Sequence, residues 1–270
     1  MDHPVILITG STSGIGKATA IALAKTGAEV ILHGRNPKEG SEAQQQVKKE
    51  TGGELPDLLI ADLADQGQIR RLASEISSRH DQLDVLINNA GTYQKNHKLT
   101  PEGVEMTFAV NYLAPFLLTH LLLPLLTKNA PSRIVTVAST AHEDVDRIDF
   151  DDLPAITRYD PWQAYSLSKF ADIAFTYSLA RRLDGTGVTA NCLHPGVVDT
   201  KILRGAFPGM QGITPEEGAR TSVYLATSPK VRNVSGKYFE EQKPAKSTTM
   251  TYDRQVQERL WDLARNLTGL

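Results

Sequence analysis

A strand-like run that leads directly into a glycine-rich turn is the feature that most constrains the fold. The apolar run Val5–Ile8 is followed by the glycine-rich residues 9–16, then by helical spacing, and then by a second strand-like run at residues 29–32. This order predicts a βαβ unit with glycines at its crossover, where a bare backbone and a helix start can receive anionic oxygen. The alternative is an ordinary structural turn.

Strand-like and helical segments alternate along the rest of the chain, without an internal repeat or a linker-like break in composition. Strands are predicted at residues 58–61, 85–87, 134–137, 188–193 and 236–239, and helices at residues 101–128, 164–183 and 253–267. Such alternation predicts an α/β fold: a single-domain Rossmann fold over residues 1–270, with a doubly wound parallel sheet of about seven strands and helices on both faces. A ligand would bind at the carboxyl ends of the strands.

Tyr165 and Lys169 stand four residues apart in a predicted helix and therefore share one face. A lysine ammonium close to the tyrosine oxygen favours the phenolate, which makes Tyr165 a candidate proton donor near neutral pH. Taken alone, the pair could equally be a surface tyrosine beside a solvated lysine.

Together with these features, separated segments along nearly the whole chain resemble the short-chain dehydrogenase/reductase family. The segments are Thr9-Gly10-x-x-x-Gly14-Ile15-Gly16, Asp62-Leu63, Asn88-Asn89-Ala90-Gly91, the ordered set Asn111, Ser139, Tyr165 and Lys169, and residues 195–200. The resemblance implies a catalytic tetrad of Asn111, Ser139, Tyr165 and Lys169. It also implies a cofactor site made of Gly10, Ser11, Thr12, Ser13, Gly14, Ile15, Gly16, Arg35, Asn36, Asp62, Leu63, Asn89, Ala90, Gly91, Tyr165, Lys169, Pro195, Gly196, Val198 and Thr200.

The family's roles give an expected mechanism. Tyr165 would protonate a carbonyl oxygen as hydride reaches the carbon, and Ser139 would donate a hydrogen bond to that oxygen. Lys169 would hold the nicotinamide ribose and favour the Tyr165 phenolate, and Asn111 would hold a water that links Lys169 to solvent. The alternatives are an ordinary buried asparagine at position 111 and a polar strand end at position 139.

Within the family, the chain looks most like the retinol-dehydrogenase-like, carbonyl-reducing branch. Ser139-x-Ala-His142, residues 236–239 and residues 259–261 resemble motifs of that branch, and the long spacing from Ser139 to Tyr165 fits it. Its members commonly carry an N-terminal membrane anchor, whereas this chain starts at its first strand. His142, beside Ser139, is a candidate for substrate contact.

The end of the second strand indicates which cofactor binds. Dinucleotide-binding folds that use NAD carry an acid there, whereas this chain has His33-Gly34-Arg35-Asn36. Gly34 takes the acid's position and Arg35 offers a planar cation suited to a 2′-phosphate. The prediction is NADP(H) in preference to NAD(H), and the alternative is a solvated loop arginine.

Composition limits the partners and the compartment. A formal charge of −2 gives no electrostatic footprint for nucleic acid or an anionic membrane. The apolar run at residues 113–126 is too short to span a bilayer and is expected to be a buried helix. Cys192, the only cysteine, reads as inert core packing, and without a secretory signal the expected compartment is cytoplasmic. The seven histidines show no metal-ligand spacing, so no metal is expected.

The substrate is expected to be a hydrophobic aldehyde or ketone, because a loop at about residues 199–215 and the residues between Ser139 and Tyr165 would lie at the site. Retinal-like, steroid-like, lipid-derived and xenobiotic carbonyls all stay open, with reduction as the expected direction. An NADP(H)-bound sensor or scaffold without turnover is the alternative function. The helices at residues 101–128 and 164–183 resemble the pair that builds family dimers, so a homodimer is possible.

Overall fold

The computed structural model describes residues 3–270 and forms one eight-stranded sheet in the order β3-β2-β1-β4-β5-β6-β7-β8. The strands are β1 Val5–Ile8, β2 Glu29–Gly34, β3 Asp57–Ile60, β4 Val85–Asn88, β5 Ser132–Val137, β6 Val188–His194, β7 Tyr238–Glu240 and β8 Lys243–Ala245. Neighbouring strands from β3 to β7 run parallel, and β8 pairs antiparallel with β7. The predicted α/β class and doubly wound sheet are confirmed.

Helices cover both faces of this sheet. They are α1 Gly14–Ala24, α2 Pro37–Thr51, α3 Gln66–Arg79, α4 Met106–Phe108, α5 Ala114–Lys128, α6 Pro161–Arg182, α7 Lys201–Ala206, α8 Pro215–Thr227 and α9 Arg254–Thr268. One core lies under α3, α5, α6 and α9, and a second lies under α1, α2 and α8. In β1, Leu7 enters the first core while Ile6 and Ile8 enter the second. Burial on both faces explains why the strands are continuous apolar runs.

The helix predicted for residues 101–128 begins later in the structure than the sequence indicated. The helix begins at Met106, because the Glu105 carboxylate accepts hydrogen bonds from the amides of Thr107 and Phe108 and so caps it. Residues 109–113 then form a π-helical turn, after which α5 continues the helical segment. Such turns displace the helix locally and are frequent at functional sites.

The continuous helical segment Met106–Lys128 is long and apolar enough to cross a membrane by length and composition alone, with a mean hydropathy of 1.6. It is longer than the apolar run recognised in the sequence. Within this fold, 67% of its apolar stretch is buried inside the molecule, and Phe116 and Leu122 are fully enclosed. The expectation of a buried helix therefore agrees with the packing of this segment.

The sheet brings the predicted site residues to one edge. The glycine turn follows β1, Arg35 follows β2, Asp62 follows β3, Asn89 follows β4 and Ser139 follows β5. Because all these strands are parallel, their carboxyl ends open at the same side of the sheet, where doubly wound folds bind ligands.

Candidate active site

The glycine turn is too tightly packed for side chains at two of its positions. Gly10 has a φ of +64°, and a Cβ built there would lie 2.8 Å from the Ala90 Cα. A Cβ on Gly16 would lie 2.4 Å from both the Asn89 side-chain nitrogen and the Gly10 carbonyl oxygen. Ser13 precedes α1, and within residues 3–270 its side chain accepts no capping hydrogen bond from the first amides of that helix. The turn thus leaves bare backbone and an uncapped helix start, which suits an anionic pyrophosphate.

Asn89 fastens the end of β4 to the end of β1. Its side-chain amide donates to the Thr9 carbonyl at 2.8 Å and to the Gly10 carbonyl at 3.2 Å, and the Thr9 hydroxyl accepts from the amides of Asn89 and Ala90 at 3.0 Å each. A Cβ built on Gly91 would lie 3.9 Å from the Lys169 ammonium nitrogen. The glycine turn, the β4 end and α6 therefore face one groove.

His33 is a site residue that the sequence reasoning missed. Its Nδ1 accepts from the Gly10 amide at 3.1 Å, so its Nε2 carries the proton and donates to the Ala61 carbonyl at 3.2 Å. The Ser11 amide and hydroxyl also hydrogen-bond the His33 backbone. Burial lowers the pKa of His33 from 6.5 to about 4. A polar residue closing the apolar run of β2 was the available signal.

The neutral state of His33 predicts acid-sensitive stability. Because the unfolded histidine binds a proton below about pH 6.5 and the folded one only below about pH 4, stability should fall by about 3 kcal/mol as the pH drops through that window. Above pH 6.5 the contribution is constant. Urea unfolding of the wild type and of His33→Asn, which keeps an acceptor for Gly10, measures the difference. Parallel stability curves for the two proteins between pH 4 and 6.5 would contradict this role.

The residues expected to hold the adenosine half of the cofactor lie at the ends of β2 and β3. Arg35 is exposed. The Glu39 carboxylate, four residues later, forms an ion pair with Lys201 rather than with Arg35. A Cβ on Gly34 would lie 2.3 Å from the Thr12 methyl carbon, so an acidic side chain there would require the Thr12 side chain to move. Asn36 caps α2 through its side-chain oxygen. Asp62 accepts from the Ala64 amide at 3.0 Å, and Leu63 beside it is buried.

Tyr165 and Lys169 lie together on α6. The Lys169 ammonium is 5.9 Å from the centre of the Tyr165 ring, and it donates to the Val137 carbonyl at 2.9 Å and to the Asp172 carboxylate at 3.0 Å. Burial lowers the pKa of Lys169, but the charges of Asp172 and Tyr165 and the hydrogen bond to Asp172 together outweigh burial and raise it. Lys169 is therefore a charged group held inside the protein.

Ser139 lies at the end of β5, where its side-chain oxygen accepts from the Ala141 amide at 3.2 Å and caps a short 3₁₀ turn, Thr140–Asp144. Since that oxygen serves as the acceptor, its hydroxyl hydrogen stays available for donation to a ligand. Ser139 and Tyr165 are both half-buried residues.

Asn111 lies in the π-helical turn and is 1% exposed. Its side chain donates to the Thr92 carbonyl at 3.0 Å and to the Ser168 hydroxyl at 2.9 Å, and accepts from the Thr92 amide at 2.7 Å. It therefore fixes the loop after β4 against α6. The water-holding role expected for it stays a prediction.

The structure does not support His142, a candidate for substrate contact, in that role. Its side chain is fully buried: Nδ1 donates to the Ser139 carbonyl at 2.6 Å and Nε2 accepts from the Thr248 amide at 3.1 Å. Both ring nitrogens are committed to the backbone, so His142 braces the Ser139 turn against the C-terminal segment.

Aromatic rings surround Tyr165 at the mouth of the groove. Tyr93 meets its ring edge-on at 5.8 Å and Trp162 stacks at 5.9 Å, while Phe207 packs edge-on against Trp162 at 5.2 Å. The Trp162 indole nitrogen donates to Asp144 at 2.9 Å. The position of Trp162 and Phe207 beside Tyr165 makes them candidate walls of a substrate pocket, and Tyr93 joins them from the other side of the Tyr165 ring.

The loop after β6 closes the other side of the groove. Pro195 is partly buried at its start, Gly196 follows with a φ of +91°, and Val198 is 5% exposed. Thr200 caps α7, and its methyl carbon would lie 3.4 Å from a Cβ built on Gly14. Beyond these anchors the loop exposes apolar side chains, namely Val197, Phe207, Met210 and Ile213.

A cavity of about 500 Å³ lies elsewhere, at the amino ends of the strands, and its lining includes Pro4, Arg133 and Arg232. None of the predicted site residues line it, so the open groove at the opposite edge is the better candidate. Within residues 3–270, no three His, Cys, Asp or Glu side chains are grouped to hold a metal ion.

Comparisons with known proteins agree with this architecture. The family model described as short chain dehydrogenase matches residues 4–211. Human retinol dehydrogenase 14 is 42% identical over 295 residues, covering 100% of this chain and 88% of the relative. Human polyprenol dehydrogenase is 37% identical over 282 residues, covering 98% and 85%. A solved structure from Escherichia coli CFT073, described as a short chain dehydrogenase complexed with NADPH, superposes with a TM-score of 0.75 at 28% identity, covering 90% and 98%.

Proposed function

Because the chain belongs to the short-chain dehydrogenase family and is an oxidoreductase of alcohol and carbonyl groups, we propose that it transfers hydride between NADP(H) and an apolar aldehyde, ketone or alcohol. The observation that carries this proposal is the joint placement of Tyr165, Lys169 and Ser139 at the edge of the sheet where the glycine turn opens.

The groove fits a nicotinamide dinucleotide. Gly10 and Gly16 leave no space for side chains and so keep the backbone bare where a pyrophosphate would lie, at the start of α1. Asp62 and Leu63 would hold the adenine, and Gly91, Lys169 and the residues from Pro195 to Thr200 would border the nicotinamide half. When bound, the nicotinamide supplies or accepts the hydride.

Tyr165 would protonate the carbonyl oxygen during reduction, and the Ser139 hydroxyl would donate to the same oxygen as negative charge develops. The rings of Tyr93 and Trp162 fix the Tyr165 ring from two sides. The buried Lys169 ammonium below it favours the phenolate that forms as the proton leaves.

Arg35 supports the preference for NADP(H). Its exposed guanidinium follows Gly34, which stands where NAD-binding sites carry an acid and packs against the Thr12 side chain. We expect Arg35→Ala to weaken NADPH binding about ten- to a hundredfold, since a charge-assisted hydrogen bond contributes about 1.5–3 kcal/mol, and to leave NADH binding nearly unchanged. Titration with both cofactors measures this. Lys49→Ala, which removes an exposed cation from the far end of α2, is the matched control. Equal losses for the two cofactors would remove Arg35 from this role.

The mouth of the groove supports an apolar substrate. Tyr93, Trp162 and Phe207 present rings near Tyr165, and the loop after β6 adds exposed apolar side chains at Met210 and Ile213. Two relatives are named for retinol and polyprenol. Reduction is the proposed direction.

The decisive experiment is NADPH consumption by the purified protein across a panel of retinal-like, steroid-like, lipid-derived and xenobiotic carbonyls. We expect turnover with at least one apolar member, and lower activity with small polar aldehydes. Tight NADPH binding without turnover on any member would instead support the sensor or scaffold alternative.

Assembly and compartment are further proposals. The chain acts on a small molecule in the cytoplasm, without a nucleic-acid partner. A homodimer built on α5 and α6 would have to include α9, because α9 packs against α6 and its Trp261 ring contacts Phe116 of α5. Sedimentation of the purified protein tests the assembly.

A further inference from the structure

Asp172 is a buried acid placed directly against the lysine of the proposed catalytic group. It lies three residues after Lys169 on α6, and the two side chains are 1% and 6% exposed. One carboxylate oxygen accepts from the Lys169 ammonium at 3.0 Å, while the other has no hydrogen-bond partner within residues 3–270. A buried carboxylate with an unsatisfied oxygen is costly, so a purely structural role would be served better by an apolar residue.

The contacts of Lys169 explain what this acid does to it. An ammonium has three donors, and two of them are committed to Asp172 and to the Val137 carbonyl. A Cβ built on Gly91 would lie 3.9 Å from the ammonium nitrogen, so the ammonium borders the loop after β4, on the side of the groove where a ribose would lie. Asp172 thus restricts the lysine to one orientation and leaves one donor for the ligand.

The surroundings of Asp172 contain two further titratable groups on other elements. Tyr112 of the π-helical turn and Cys192 of β6 both feel its charge, and burial together with that charge raises the pKa of each. The Tyr112 hydroxyl and the Cys192 thiol therefore both stay neutral. Lys169 is the cation that contacts Asp172. Burial raises the pKa of Asp172, and the attraction of Lys169 opposes that rise. Around neutral pH the local field at Tyr165 therefore comes from a lysine–carboxylate pair rather than from a lone ammonium.

We propose that Asp172 is a positioning residue for the reaction, which holds the Lys169 ammonium in place and offsets its charge, so that the pair sets the pH at which Tyr165 ionises. This inference rests on the proposed function of Tyr165 and Lys169. The field of a close pair falls off faster than that of one charge, so removing the carboxylate charge, while Lys169 stays protonated, exposes Tyr165 to the full effect of Lys169.

The variant that tests this is Asp172→Asn, which keeps the size and an oxygen acceptor for Lys169 but removes the charge. In the direction of carbonyl reduction the protonated tyrosine is the active form, so kcat/KM declines at high pH as Tyr165 ionises. We expect the midpoint of that decline to move to lower pH by about one unit. Asp184→Asn, an exposed site just after α6 with the same change in net charge, should leave the midpoint in place.

A second readout needs no turnover. The ultraviolet absorbance of tyrosinate, taken as the difference between each protein and its Tyr165→Phe counterpart, reports the ionisation of this one tyrosine. The midpoint should lie lower in the Asp172→Asn background than in the wild type. Asp172→Ser offers the same comparison with a smaller neutral acceptor if the asparagine variant does not fold.

These measurements distinguish the failure of the Asp172 proposal from the failure of the proposed function. Equal midpoints in the wild type and both Asp172 variants would overturn the proposal, even where their unfolding free energies differ. A wild type without Tyr165-dependent turnover would overturn the proposed function instead, while the absorbance titration would still decide the role of Asp172.

Discussion

Replacing Tyr165 by Phe is expected to lower kcat by about 10²- to 10⁴-fold while leaving NADPH affinity nearly unchanged, because it removes the proposed proton donor and nothing else. The ring contacts with Tyr93 and Trp162 do not use the hydroxyl, so phenylalanine can keep the same position. Steady-state rates on the best carbonyl substrate, together with NADPH titration by fluorescence, measure the two quantities separately.

Tyr159→Phe is the matched control for this change. Tyr159 lies just before α6, and its hydroxyl donates to the Gln94 carbonyl. We expect it to retain most of the activity. Wild-type turnover in the Tyr165→Phe protein would remove Tyr165 from the proposed role, and a comparable loss of NADPH binding would indicate a structural defect.

The elements that sequence predicted well are those with a strong local pattern. The glycine turn between β1 and α1 is set by residues adjacent in the chain, and the spacing of Tyr165 and Lys169 puts them on one helix face whatever the rest of the fold does. The doubly wound sheet followed from the alternation of apolar runs and helical segments.

The features that sequence missed depend on contacts between distant segments. His33 lies far from Gly10 in the chain, and only the parallel pairing of β1 with β2 brings its ring to the Gly10 amide. The buried ring of His142 accepts a hydrogen bond from the Thr248 amide, which is more than a hundred residues away in the chain. Nothing in the residues around it distinguishes a substrate contact from such a brace.

Weak local signals explain two further differences in the fold. The edge strand β8 has three residues with Pro244 at its centre, so it shows no apolar alternation; proline is tolerated there because edge strands leave some amides unpaired. The π-helical turn around Asn111 changes the helix by a single extra residue in one turn, which hydrophobic spacing does not resolve.

The C-terminal helix α9 was predicted, but the sequence did not show what it packs against. Trp261 inserts its ring between Phe116, 5.1 Å away, and Phe175, 5.9 Å away, and the Arg182 guanidinium lies 3.9 Å above it. The Tyr112 hydroxyl donates to the Leu260 carbonyl at 2.9 Å. This helix lies outside residues 4–211, so the matched family segment does not include it.

Trp261→Ala is therefore expected to lower the free energy of unfolding by about 3–5 kcal/mol, because it empties a buried aromatic site and removes the cation–π contact with Arg182. Urea unfolding followed by circular dichroism measures this, and Trp261→Phe should lose less because a ring remains. Trp162→Ala, at the mouth of the groove, removes the other tryptophan and should leave stability within about 1 kcal/mol. If Trp261→Ala unfolds at the wild-type urea concentration, α9 does not contribute to the core through this ring, and the packing of Phe116 and Phe175 must be sufficient without it.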